Sequence, residues 1–188
     1  MDLRRVTESP LLYVTDGDGV ITSVGGSWAA FALDNGAPGL ARGVGMSIWD
    51  SMASVETRQV YRHLLARARP GSPLVFDYRC DAPGLRRDMR MRVASLPDGG
   101  WEFESRLLRA SALPTAVSWL ISRAGGALDS LRVCSWCNRV RDDRGWTEFE
   151  EFAVRAGLLL SDEHPGISHG ICQDCHDRLL LPQAAATG

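Results

Sequence analysis

Four of the five cysteines form two Cys-x-x-Cys pairs in the last third of the chain. Cys134 and Cys137 enclose Ser-Trp, Cys172 and Cys175 enclose Gln-Asp, and 34 residues separate the two pairs. Two intervening residues let both thiolates of a pair reach one ion, and two pairs complete the tetrahedral sulfur site that suits Zn²⁺. The spacing therefore predicts a structural zinc site on Cys134, Cys137, Cys172 and Cys175.

Paired cysteines are also typical of thiol redox chemistry, which leaves two alternatives open. Oxidation of the thiolates would release the metal and unfold the segment, so the pairs would act as a redox switch. A thiol-disulfide enzyme would use Cys134 and Cys137, but a thioredoxin-like fold needs βαβ units and one such pair. Cys172-Gln-Asp-Cys175-His176 also matches the haem attachment pattern, and we expect this match to be accidental because no apolar signal segment opens the sequence.

Three further side chains have types suited to chemistry. His169 precedes Cys172 by three residues and would be either a metal ligand or a hydrogen-bond donor to a thiolate; four cysteines already fill the site, so we favour a loop histidine. Cys80 shares a strand face with aromatic residues, which favours a core position. His63 lies off the apolar stripe of its helix, which favours a surface position over haem ligation.

The composition excludes several classes of protein. The chain has 188 residues, 45% of them hydrophobic, and a net charge of -2, which disfavours a general nucleic-acid binder. All 21 basic residues are arginine, so lysine chemistry is excluded. No stretch reaches the ~18 to 20 apolar residues that span a bilayer, so we expect a cytoplasmic protein without membrane contact. We find no Ser/His/Asp triad, P-loop or pair of catalytic carboxylates, and we expect no enzymatic activity.

Hydrophobic periodicity predicts a mixed α and β architecture. A hairpin over residues 11–24 precedes a short helix capped by Ser27, and residues 55–69 form an amphipathic helix. Period-two alternation then predicts three antiparallel strands within 73–109. The arginine run 86–92 could suggest phosphate binding, but ion pairs across the strands explain it more simply. Near the C-terminus, Thr147 and Glu150 suggest a capping box for a helix between the cysteine pairs.

This element order resembles a PAS domain over residues 9–109, named here the sheet domain. The resemblance depends on Asp16, Asp18 and Gly19 in the first turn, the passage NGAPGLARGVGMSIWD and the closing meander. It implies a five-stranded antiparallel sheet whose helices cover a pocket for a small ligand. If the pocket is not simply filled by side chains, we expect these apolar residues to contact the ligand: Phe31, Trp49, Tyr61, Leu65, Phe76, Tyr78, Met89 and Phe103.

The passage CSWCNRVRDDRGW, followed by SHGICQDC, resembles a C-terminal module of bacterial signalling proteins that often follows PAS or receiver domains. The matching positions are Cys134, Cys137, Arg141, Asp142, Gly145, Trp146, Ser168, His169, Gly170, Ile171, Cys172 and Cys175. Gln173 stands where the pattern often has proline. The match covers residues 131–182, named here the cysteine module, and does not itself fix a function.

The sequence thus predicts an α+β signalling protein, with a PAS-like sheet domain that senses a ligand or partner and a zinc module that transmits the signal or docks. Residues 110–130 are expected to connect the two. Without an output domain, we expect the protein to act through a second copy or a separate signalling protein. Large apolar residues in and beside the connector would form the contact: Leu113, Val117, Trp119, Leu120 and Ile121.

Overall fold

The computed structural model describes residues 9–52, 54–82, 84–113, 131–156 and 166–180. Most of the predicted connector, with Val117 to Ile121, lies outside these residues, so its helix and its role in a contact stay predictions. None of the helices in the described part of the chain is long and apolar enough to cross a membrane.

The sheet domain contains the predicted five-stranded antiparallel sheet. Its strands pair in the order β2-β1-β5-β4-β3, so the last strand of the meander inserts between the hairpin and the earlier strands. Alternating residues of β4 are buried, as the period-two pattern predicts. The strands are β1 Leu11–Thr15, β2 Ile21–Gly26, β3 Leu74–Arg79, β4 Leu85–Ser95 and β5 Trp101–Ala112.

Three helical segments accompany this sheet: α1 (Trp28–Asp34), a 3-10 helix (Pro38–Ala41) and α2 (Val55–Arg67). The hydroxyl of Ser54 accepts a hydrogen bond from the backbone N–H of Thr57 at 3.0 Å and so caps α2. The apolar stripe of α2 is buried in the core, as predicted; its buried apolar residues are Val60, Leu64 and Leu65.

The predicted cap of α1 was wrong. Ser27 occupies the N-cap position, but its side chain caps no backbone N–H of the helix. Instead its hydroxyl donates to the carbonyl oxygen of Ser9 at 2.6 Å. The hydroxyl therefore ties the start of β1 to the start of α1, a long-range partner that a local motif cannot show.

The cysteine module contains a second, four-stranded sheet in the order β8-β7-β6-β9. Strands β6 and β9 are parallel, with Cys134 opposite Gly170, while the β6–β7–β8 meander is antiparallel. The elements are β6 Leu131–Cys134, β7 Val140–Asp142, β8 Gly145–Thr147, α3 Phe149–Arg155, β9 Ile167–Gly170 and α4 Gln173–Leu180.

A helix does lie between the cysteine pairs, but its predicted capping box was wrong. Helix α3 has Glu148 as its N-cap residue and no side-chain cap. The hydroxyl of Thr147 donates to Asp142 at 3.0 Å, and Glu150 pairs with Arg79 of the sheet domain. Both side chains of the expected box are therefore engaged by partners outside the helix.

The sheet domain and the cysteine module share one hydrophobic core. Trp136, Cys172 and Leu179 belong to the same buried cluster as Leu64 of α2 and Phe76 of β3. A smaller cluster, formed by Val133, Val140, Phe149 and Ala153, stabilises the module itself. The module is thus packed against the sheet domain through α2 and β3, and we expect loss of its metal to weaken both parts.

Candidate metal centre and adjoining cavity

The first cysteine pair lies in the tight turn between β6 and β7. Asn138 adopts a positive φ of 57°, a conformation that asparagine tolerates better than most residues. Its N–H donates to the carbonyl of Cys134 at 3.0 Å, and the N–H of Cys134 donates to the carbonyl of Arg139 at 2.8 Å. These bonds close the turn, so that Cys134 and Cys137 point their sulfurs to one side.

The second pair lies at the start of α4, where parallel pairing of β9 with β6 delivers it to the first pair. The N–H of Cys172 donates to the sulfur of Cys134 at 3.4 Å, and the N–H of Cys175 donates to the sulfur of Cys172 at 3.4 Å. Hydrogen bonds from backbone N–H groups favour the thiolate form of a sulfur. The backbone N–H of Cys172 therefore favours the thiolate form of Cys134.

All four sulfurs lie within 4.8 Å of one another, and those of Cys137 and Cys172 are 3.7 Å apart. A tetrahedral zinc site with bonds of about 2.3 Å places its sulfurs about 3.8 Å apart, so the arrangement fits such an ion. Cys134, Cys172 and Cys175 are buried, whereas Cys137 is partly exposed. The four cysteines can hold one metal ion, as their spacing predicts.

The electrostatics of the cluster also suit a cation. Hydrogen bonds from the thiols of Cys137 and Cys175 lower the pKa of Cys134 well below its ordinary value, against the effect of burial. The same bond to Cys134 raises the pKa of Cys137 to about 12, and the pKa of Cys175 is also raised. The ionised sulfur of Cys134 thus opposes ionisation of Cys137 and Cys175, and a bound cation would offset that repulsion. Arg178 places its Nη2 3.6 Å from the sulfur of Cys175, where its charge would offset part of the charge of a metal-bound thiolate.

The other candidate side chains lie apart from these sulfurs. His169 is on β9, and burial lowers its pKa; among the described residues the metal-ligand cluster contains cysteines alone. Cys80 follows β3, where burial raises the pKa of its thiol. His63 is exposed on α2, as predicted.

A mostly apolar cavity of about 300 Å³ lies between the inner face of the sheet and the helices α1 and 3-10. Of the eight residues predicted to contact a ligand, Phe31, Tyr61 and Tyr78 line it. Met89 lines a second cavity of about 150 Å³, which shares Phe31. The structure thus brings four of the eight residues to an open space.

The remaining four of these residues do not line either cavity. Leu65, Phe76 and Phe103 are buried in the core. The indole N–H of Trp49 donates to the carbonyl of Asp18 at 2.7 Å and so closes the first hairpin turn. These four side chains therefore pack in the core or close a turn, and they stabilise the structure around the cavity.

Tyr61 and Trp136 connect the cavity to the cysteine cluster. Tyr61 lines the cavity, and its ring stacks on that of Trp136, with centroids 5.5 Å apart and planes 26° apart. Trp136 lies inside the first cysteine pair and is 1% exposed. Its carbonyl accepts from the N–H of Arg79 at 2.7 Å. The sequence reasoning missed this role of Trp136, although a large apolar side chain inside a metal-binding turn needs a partner surface.

An arginine–carboxylate cluster around the buried side chain of Arg79, with Asp81, Glu148 and Glu150, reinforces this contact. Arg79 lies 2.7 Å from Asp81 and 3.2 Å from Glu148, and it also pairs with Glu150. Burial opposes ionisation of Glu150, but the hydrogen bond from Arg79 keeps the pKa of this carboxyl below its ordinary value. The alternation of β3 did not predict a buried arginine, because two of its partners, Glu148 and Glu150, come from about 70 residues later.

No protein-family model matches the chain. No curated protein sequence matches it either. Among solved structures, the chain is similar to the PAS domain of an HTR-like protein from Haloarcula marismortui, with a TM-score of 0.38 and 19% sequence identity. The match covers 55% of this chain and 90% of that domain. The strand order β2-β1-β5-β4-β3 and the antiparallel pairing define the fold of the sheet domain.

Proposed function

We propose that this chain is a non-enzymatic sensory protein. In this proposal the cavity of the sheet domain takes up a small ligand, and a structural zinc ion holds the cysteine module in the shape that a partner protein recognises. The stacked rings of Tyr61 and Trp136 carry the proposal, because one ring lines the cavity and the other belongs to the metal-binding turn. A ligand that shifts Tyr61 would act on the module directly.

Zinc is the proposed metal because the donor set is four sulfurs in a mostly buried site. Tetrahedral sites with four thiolates hold zinc or iron, whereas calcium and magnesium require oxygen ligands. Four protein ligands leave no open position for a substrate, which is typical of structural zinc. The cysteines would hold the ion, and the ion would supply folding free energy rather than catalysis.

The module would transmit a signal through surfaces fixed by the metal. Arg67 of α2 donates to the carbonyl of Leu179 in α4 at 3.0 Å, and the hydroxyls of Thr57 and Ser135 are 2.7 Å apart. Helix α2 therefore contacts both cysteine-bearing segments as well as the sheet. The proposed partner is a second copy of the chain or a separate signalling protein in the cytoplasm, where thiolates stay reduced.

A thiol redox switch is the second candidate, favoured by the partial exposure of Cys137. A peroxide would take two electrons from a pair of thiolates, form one disulfide and release zinc as the peroxide is reduced to water. Cys137 borders a polar groove, which gives a peroxide in the solvent access to its sulfur. Thiol counting after exposure to peroxide separates this candidate from a purely structural site.

Metal analysis of the purified protein tests the proposal. We expect one zinc per chain, and we expect Cys172→Ser to lose it together with hydrogen-exchange protection of the module. Cys80→Ser is the matched control, because Cys80 lies outside the cluster and should leave the zinc content unchanged. Full zinc content in Cys172→Ser would contradict the proposed site.

Partner binding requires a separate measurement. Light scattering over a range of concentrations, with and without chelator, reports self-association. We expect a dimer that dissociates when the metal is removed. A monomer under all conditions would exclude a second copy and leave a separate signalling protein as the partner.

A further inference from the structure

Six polar side chains line the otherwise apolar cavity and are named here the polar wall: Tyr13, Asn35, Ser51, Tyr61, Tyr78 and Ser105. No charged side chain in the described part of the chain lines it. Its volume is at the small end of the range for ligand pockets, which begins near ~300 Å³. The cavity therefore suits a compact, mostly apolar molecule with one polar group.

The polar wall offers more hydrogen-bond donors than the protein uses. The hydroxyl oxygens of Tyr78 and Ser105 are 2.5 Å apart, so one hydroxyl donates a hydrogen bond to the other. The hydrogen of the accepting hydroxyl remains free to donate to a ligand. Neither the hydroxyl of Tyr13 nor that of Tyr61 has a partner among the residues that the structure describes. Burial raises the pKa of all three tyrosines, that of Tyr61 to about 12, so their hydroxyls stay protonated donors.

A buried positive charge lies directly behind this wall. Arg87 is 1% exposed, and its Nη2 donates to the side-chain oxygen of Asn35 at 2.7 Å. Its guanidinium lies over the ring of Phe31, 4.6 Å from the centroid. Both partners line the cavity. The charge of Arg87 is therefore one side chain away from any ligand bound there.

This charge has no counter-ion in the described part of the chain. The side chain of Arg87 bonds to the carbonyl of Cys80 at 2.6 Å and to Asn35, both of which are neutral. Asp81 accepts from the backbone N–H of Arg87, but its carboxylate is paired with Arg79. A buried cation without an anion nearby is unfavourable, and a bound anion would relieve that penalty.

We propose that the cavity binds a small, mostly apolar carboxylic acid as its carboxylate. The carboxylate oxygens of the ligand accept hydrogen bonds from the tyrosine and serine hydroxyls. The positive charge of Arg87, which is bonded to Asn35 behind the cavity wall, compensates the negative charge of the carboxylate. The apolar part of the ligand lies against α1. This inference rests on the proposed sensory function for the role of the cavity. It adds the chemical class of the ligand.

Calorimetry on the metal-loaded, full-length protein tests this assignment with matched neutral and anionic probes. The probes are phenylacetate with phenylacetamide and octanoate with octanamide, so that each pair differs in charge and hardly in shape. We expect each acid to bind at least tenfold more tightly than its amide. In Arg87→Met the preference should disappear, while the amides still bind. In Ala32→Leu, which fills the cavity, acid and amide should both weaken.

Two further variants keep the test decisive. Arg90→Met removes an exposed arginine of the same strand, paired with Asp77 on the outer face, and should leave the preference unchanged. If Arg87→Met does not fold, Tyr61→Phe, which removes one donor and keeps the ring, should weaken the acids several-fold more than the amides.

Three results would overturn the assignment. Equal binding of acid and amide would exclude an anion but keep a ligand cavity, and an acid preference that survives Arg87→Met would exclude the role of Arg87. Failure of all four probes would overturn the ligand class. The proposed function would be judged separately, by the zinc content of Cys172→Ser.

Discussion

Replacing Trp136 by alanine tests whether the cysteine module and the sheet domain form one cooperative unit. The side chain is 1% exposed and lies in the core that both parts share. Truncation of a buried tryptophan to alanine destabilises a protein by about 3–5 kcal/mol, of which an aromatic pair such as Tyr61–Trp136 accounts for about 0.5–1.5 kcal/mol. Since the free energy of unfolding of a domain is only about 5–15 kcal/mol, we expect Trp136→Ala to remove a large part of it.

Urea unfolding followed by circular dichroism measures this loss, and hydrogen exchange of α2 locates it. We expect one transition at a lower urea concentration, with reduced protection of α2 although Trp136 lies outside that helix. Val154→Ala is the control, because Val154 is 69% exposed on α3 and should change stability by less than about 0.5 kcal/mol. A loss below about 1 kcal/mol in Trp136→Ala, with unchanged protection of α2, would refute the shared core.

Three further outcomes follow from the charges and the backbone. The pKa of Cys137 is raised to about 12 and that of Cys175 is also raised, so both thiols carry protons at neutral pH. Zinc binding should therefore release about two or more protons and become tighter as the pH rises. Calorimetry in two buffers of different ionisation enthalpy measures the number of protons released. Arg79→Met should destabilise the protein by about 3–5 kcal/mol in urea unfolding, since it leaves the buried carboxylate of Asp81 without its partner, whereas exposed Arg92→Met should change it by less than about 1 kcal/mol. Gly43→Ala should lower the melting temperature, because Gly43 has a φ of +61° and an added Cβ would lie 2.7 Å from Val24; an unchanged melting temperature would contradict that.

The sequence predicted the features that depend on local pattern. Alternation located the strands, the apolar stripe of α2 identified its buried face, and the spacing of the cysteines predicted which sulfurs would meet. In each case the information lies within a few residues, because a strand or a knuckle is defined by its own period. The five-stranded sheet was expected because the order of these elements resembles a PAS domain.

Contacts between distant segments could not be read from the sequence. Arg87 belongs to the arginine run for which the sequence predicts ion pairs across the strands, yet it is buried against Phe31 of α1 and Asn35 at the end of that helix, about 50 residues earlier. Two partners of Arg79, Glu148 and Glu150, lie at the start of α3 in the cysteine module, and Glu150 does not form the helix cap that the sequence predicted for it. A charged residue on a strand is exposed by default, and only the tertiary partner overrides that expectation.

X-ray absorption at the zinc edge of the purified protein tests the metal centre most directly. The four cysteine sulfurs lie within 4.8 Å of one another, so the account predicts one zinc per chain with four sulfur neighbours at about 2.3 Å. A shell of nitrogen or oxygen at about 2.0–2.1 Å, or fewer than four sulfurs, would contradict the assignment of Cys134, Cys137, Cys172 and Cys175 as the complete ligand set.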